Sequence, residues 1–155
     1  MTILGVSLGS RITGIAIIKD TELLVARSFT LRNKATKIHT ATLDSYIRQY
    51  RIATAVIKMP PPTHITERLK EVLHQCLSLF QYHGCMVEYN DIKFIKERLP
   101  ELANKKAVMR FATATYPALT PLNQKELTNK QKYHVKTFEA VVVAHLKKQR
   151  NSVPD

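Results

Sequence analysis

The chain has 155 residues, 45% of them hydrophobic, and sets 24 Lys plus Arg against 12 Asp plus Glu for a formal charge of +12. That length suits one domain that buries about two thirds of its unfolded surface. The apolar residues are dispersed, with no run near the roughly 20 that a membrane helix requires. The charge calls for an anionic partner. Nucleic acid is favoured, because phosphates neutralised by Lys and Arg release counterions whatever the base sequence.

The N-terminus enters a strand-like segment at Ile3 to Val6 without the basic start and apolar stretch of a secretory signal, so a cytoplasmic protein is expected. Cys76 and Cys85 lack companions at zinc spacing and sit in apolar surroundings, which argues for buried thiols over a disulfide or a metal site.

Ile3 to Ser7 is mostly apolar, as suits a strand covered on both faces, and Gly9-Ser10 supplies a turn. Ile12 to Ile18 and Leu23 to Phe29 are β-branched or apolar and flank the polar turn Lys19-Asp20-Thr21, which predicts a three-stranded meander. Between Lys34 and Arg51, the positions Ile38, Leu43, Tyr46, Ile47 and Tyr50 fall near helical spacing, leaving Lys37, Arg48 and Arg51 for the opposite face.

Thr54 to Ile57 reads as a short strand ended by Pro60-Pro61-Pro62. Ile65, Leu69, Val72, Leu73, Cys76, Leu77 and Phe80 recur at threes and fours and predict a helix, with Thr63 as its cap and Gly84 as its stop. Cys85 to Tyr89 is the next strand, so this unit forms a right-handed parallel crossover.

Ile92 to Leu99 and Ala103 to Ala114 are helical segments on either side of Pro100, displaying Lys93, Lys96, Arg98, Lys105, Lys106 and Arg110. Residues 115 to 133, with Pro117, Pro121, Asn123 and Asn129, read as a long polar loop. Val135, Phe138, Val141, Val142, His145 and Leu146 define a last helix with a basic end at Lys147, Lys148 and Arg150. The expectation is one α/β domain over residues 1 to 150, with a mixed five-stranded sheet flanked by helices and a polar tail over 151 to 155.

The segment Gly5-Val6-Ser7-Leu8-Gly9-Ser10-Arg11-Ile12-Thr13-Gly14 resembles the first motif of the RuvC-like Holliday junction resolvases, a branch of the ribonuclease H-like superfamily. Ile92-Lys93 and Ala103-Asn104-Lys105-Lys106-Ala107-Val108 look like the later basic helix of that family, and Phe138-Glu139-Ala140-Val141 like its last helical motif. The resemblance thus spans most of the chain.

It implies a ribonuclease H-like fold, a nucleic-acid partner, foremost DNA, and a possible homodimer. It also implies carboxylates from the first strand, the fourth strand and the last helix that hold two divalent cations about 4 Å apart for phosphodiester hydrolysis. Here the sequence departs from the family. Ser7 stands where the family has aspartate, Lys58 takes the fourth-strand glutamate position, and Lys136 lies three residues before Glu139, the one matched acid.

A hydroxyl cannot replace a bridging carboxylate, and an ammonium competes with a cation for the same place. The leading expectation is therefore a nucleic-acid-binding domain that has lost metal-dependent cleavage and needs no cofactor. Arg11, Lys58, Lys93, Lys105, Lys106, Arg110 and Lys136 are its expected phosphate contacts.

Two other readings remain open. A magnesium-dependent nuclease would use Glu139 with Glu88 or Asp91, at the end of the fifth strand. A protein-interaction module would use the same basic surface on an acidic partner. His134 and His145 lie too far apart to share a metal, and His39, His74 and His83 read as helix-surface or edge residues. His64, after the proline run, lies where a phosphate would meet the next helix.

Overall fold

A computed structural model describes residues 1–9, 11–30, 35–102, 104–129 and 133–152, with the side chains of 35–39 and 151–152 set aside. Ser10, Lys34, Ala103, the 130–132 part of the expected loop and residues 153–155 of the tail lie outside the described residues. So do the side chains of Lys37, Ile38 and His39.

The meander forms as the β-branched runs predict. Strands β1 (Thr2–Ser7), β2 (Ile12–Lys19) and β3 (Glu22–Thr30) pair antiparallel, and the β2–β3 turn has Asp20 at positive φ. β4 (Thr54–Lys58) and β5 (Met86–Asn90) then add in parallel, giving the order β3-β2-β1-β4-β5. This is the expected mixed five-stranded sheet.

The strand period of two assigns each face of the sheet. From β1, β2 and β4, Leu4, Val6, Ile15, Ile17, Ala55 and Ile57 pack under helices α1 (Ala35–Tyr50) and α2 (Glu67–Tyr82). The alternate residues Ile3, Ala16, Ile18 and Val56 meet α4 (Lys105–Thr115) and α6 (Val135–Ser152). Helices thus cover both faces, with β1 buried along its whole length.

Helix α6 lies unusually close to the sheet. A Cβ at Gly5 would collide with the carbonyl oxygen of Ala140, and one at Gly14 with the backbone of Lys136 and Thr137. Gly5 and Gly14, two of the three glycines of the opening motif, thus admit the last helix onto the middle of the sheet, and any larger residue there pushes it off.

Three details differ from the sequence reading. Thr66, not Thr63, caps α2, its Oγ1 accepting from the amide of Leu69 at 3.2 Å, because Pro62–His64 form a 3-10 turn that delays the helix. The expected polar loop at 115 to 133 contains a 3-10 turn at Pro117–Leu119 and the helix α5 (Thr120–Thr128). The proline-rich composition suggested loop, but Pro121 sits in the first helical turn, where its missing amide costs nothing. The last helix also continues through Asn151 and Ser152, into the expected tail. The short α3 (Ile92–Arg98) is capped by Asp91, which accepts from the amide of Phe94 at 2.8 Å.

Two histidines join the helical layer to its neighbours. His145 is buried, with Nδ1 2.8 Å from the Tyr116 hydroxyl, and burial with nearby Lys148 pulls its pKa below the usual 6.5. Nδ1 of His134 is 3.4 Å from Ser28 Oγ, and burial followed by Lys125 lowers it likewise, against an opposing pull from Glu126. A histidine with a depressed folded pKa stabilises fully above its unfolded value, and that contribution is lost as pH falls through the folded one. Stability is therefore expected to drop as pH falls below about 6.5. Urea midpoints on either side of that pH test this, and His145→Gln should flatten the decline. An unchanged profile in the variant would remove His145 from the account.

Candidate functional site

The site lies where β1 and β4 end beneath the start of α6. Ser7 and Lys58 are register partners on adjacent parallel strands. Both belong to the face that α6 covers, since Ser7 also pairs with Gly14, which touches Lys136. Val135 opens α6, so Lys136 and Glu139, one turn apart, project over the same strand ends. The positions singled out at Ser7, Lys58, Lys136 and Glu139 thus come together from opposite ends of the chain.

Their chemistry is that of a shared carboxylate. Lys58 Nζ makes a close ion pair with Glu139 Oε2, and Lys136 Nζ lies 3.6 Å from Oε1. The side chains of Lys58 and Glu139 are 6% and 12% exposed, so both charges are largely removed from water and depend on each other. Burial, with Lys58 and Lys105 close by, pushes the Lys136 ammonium below its usual range, while Glu139 opposes that shift. The Ser7 hydroxyl is fully buried and has no hydrogen-bond partner.

This donor set does not fit a pair of divalent cations. Hard cations need several carboxylate or carbonyl oxygens, whereas both oxygens of Glu139 face ammonium groups. Among the described residues no group of three or more His, Cys, Asp or Glu is placed to hold a metal ion. The carboxylates considered as substitutes are engaged elsewhere. Glu88 binds Lys147 at 2.5 Å and Arg150 at 2.7 Å, and these partners are attached two to three turns of α6 beyond Glu139. Those contacts hold the Glu88 carboxyl below its usual range despite the cost of its partial burial. Asp91 caps α3.

Two hollows open on the shared carboxylate. One, of about 310 Å³, runs from Lys58, Lys136 and Glu139 to α3 and α4, with Lys96 and Lys105 in its lining. The other, of about 230 Å³, lies between Gly9, Arg11 and Ile12 and the start of α6, and is also lined by Lys105, Lys136 and Glu139. Glu139 is the one acid among the described residues that line them, so cations dominate the whole groove.

Of the residues expected to contact phosphate, Lys58, Lys105, Lys136 and Arg11 converge here. Lys93, Lys106 and Arg110 are exposed on α3 and α4 outside the lining. Lys96, displayed by its segment but not assigned a role from sequence, joins the site with Asn104, and His64 stands at the mouth near the proline run.

A buried anchor that the sequence did not reveal sets the start of α6. Glu126, wholly buried at the end of α5, accepts the backbone amides of Tyr133 at 2.7 Å and His134 at 2.8 Å. Nothing in the local pattern distinguishes this glutamate from a surface acid. Its role follows from where α5 docks.

No protein-family profile matches the chain, and no curated protein matches it. Solved structures do. The chain is similar to Thermus thermophilus RuvC in complex with a Holliday junction substrate, at 14% identity over 98% of this chain and 96% of that one, with a TM-score of 0.71. Another Thermus thermophilus RuvC structure matches at 14% identity, 97% and 96% coverage and a TM-score of 0.72. The fowlpox virus Holliday junction resolvase matches at 10% identity over 99% of this chain and all of that one, with a TM-score of 0.64. The fold is therefore that of the RuvC-like, ribonuclease H-like proteins. No helix among the described residues is long and apolar enough to cross a membrane.

Proposed function

We propose that the chain is a nucleic-acid-binding RuvC-like domain, foremost for DNA, that holds backbone phosphate with lysines where its structural relatives' family places metal ions. The observation that carries this reading is the buried Lys58–Glu139 pair with Lys136 on the remaining carboxylate oxygen. One carboxylate cannot neutralise two lysines, and Lys105 and Lys96 add to the excess. An ammonium can donate to a phosphate oxygen directly. Metal-assisted activation of water has no place in this arrangement. The Thermus thermophilus structure in complex with a Holliday junction supports a branched substrate by likeness of fold.

Binding of four-way junction, duplex, single-stranded DNA and RNA, measured across a salt series with and without magnesium while cleavage is followed, tests this. The expected result is salt-sensitive, magnesium-independent binding without strand cutting. Lys105→Gln should weaken all substrates and reduce the slope of log affinity against log salt by about 1, as for loss of a single phosphate contact. Magnesium-dependent cutting abolished by Glu139→Gln would replace this reading with an active nuclease. Failure to bind any nucleic acid would leave the basic groove for an acidic protein.

A further inference from the structure

The larger hollow has a property that phosphate contact leaves unused. Beside the cations Lys58, Lys96, Lys105 and Lys136, its lining holds five aliphatic residues, Ile92, Ile95, Leu102, Val108 and Val142. Ile95, Leu102, Val108 and Val142 are core residues that show only their edges, whereas Ile92, the first residue of α3, is 37% exposed. An exposed aliphatic side chain beside a lysine cluster is poor design for backbone binding alone, because phosphates gain nothing from it. At about 310 Å³ the hollow is at the small end of ligand pockets, which span roughly 300–1,000 Å³.

We propose that this hollow captures one unpaired nucleotide of a bound strand, its base against the aliphatic lining and its phosphate between Lys105 and Lys136. The inference rests on the nucleic-acid reading above and adds what selects the substrate. A base offers two weakly hydrated faces to the aliphatic side chains, while its phosphate carries the charge that Lys96, Lys105 and Lys136 complement. Asn104, also in the lining, uses its side-chain oxygen to accept the amide of Ala107 at 2.9 Å, which leaves its NH₂ group to donate to a base carbonyl.

A stacked, paired base cannot enter a hollow lined by core side chains. Extruding one costs a few kcal/mol in duplex, and least where the base is already unpaired. The hollow therefore favours branch points and single strands over intact duplex. Aliphatic contact with the face of a base discriminates little among bases.

The test uses a four-way junction with 2-aminopurine at the branch point and a fully paired duplex with the same probe. Binding of the wild-type protein should raise the junction probe's fluorescence several-fold, as stacking is lost, and leave the duplex probe unchanged. Ile92→Trp, at a position 37% exposed and outside the buried core, fills the hollow. It should abolish the rise and weaken junction binding about tenfold, equivalent to about 1.4 kcal/mol, with duplex affinity unchanged. Ile92→Leu should keep both. If junction and duplex both bind but the rise is absent, or survives in Ile92→Trp with unchanged affinity, the capture of a base is wrong and the phosphate-binding reading stands. If neither binds, the nucleic-acid reading fails and takes this inference with it.

Discussion

Glu139→Leu is expected to destabilise the protein by about 3–5 kcal/mol, the usual cost of leaving a buried charge without its partner. The mutation strands Lys58, whose side chain is 6% exposed, next to a second lysine. Lys58→Met should cost less, because Lys136 still faces Glu139 and is 29% exposed, free to move toward it. The double replacement Lys58→Met with Glu139→Leu should recover most of the loss, since apolar groups of similar size replace a buried pair at little net cost. Urea denaturation of the three variants measures the order. A double variant less stable than Glu139→Leu alone would mean that the two side chains do not compensate each other.

Magnesium should not change the thermal midpoint of the wild-type protein, whereas it should raise that of the triple variant Ser7→Asp, Lys58→Glu, Lys136→Asp. The triple change puts three carboxylates beside Glu139 at the strand ends and helix turn where the family resemblance places metal ligands. Without metal their mutual repulsion lowers stability. A bound cation then restores it, by about 2.7 kcal/mol when magnesium is at one hundred times its dissociation constant. Thermal unfolding with and without magnesium, checked by calorimetric titration, distinguishes the cases. A magnesium-dependent rise in the wild type would overturn the lysine-for-metal exchange. No rise in the triple variant would show that these positions do not form a metal-competent cluster.

How much of this the sequence disclosed follows the range of the forces involved. The strands and long helices were legible because β-branched runs and three-to-four spacing are local signals. Helix α5 was not, since Pro117, Pro121 and Asn123 carry breaker chemistry and the tertiary docking that buries Glu126 lies outside any local window. The meeting of Lys58 with Glu139 was accessible through the resemblance, which aligns both with family carboxylates. Spacing alone could not bring together residues on β4 and α6. That Lys147 and Arg150 take up Glu88, a residue of the alternative nuclease reading, was not legible, because proximity to a strand end says nothing about which cations reach it first. The aliphatic lining of the hollow comes from α3, the segment before α4, α4 and α6, so no single segment announces it.

The glycines at Gly5 and Gly14 also have a consequence for the order of assembly. Strands β1 and β2 bring them together early through a short antiparallel hairpin, but the surface they leave open is filled only by α6, whose residues come last. Contacts of such long sequence separation form late, after their loop-closure entropy has been paid. Until then Ile3, Ala16, Ile18 and Val56 remain uncovered on one side of the sheet, and Lys58 sits in that same face without its counter-charge. The chain's last helix is therefore both the lid of its core and the supplier of the one acid among the described residues that line its groove. A chain that stops before Val135 should be an aggregation-prone sheet with no groove at all.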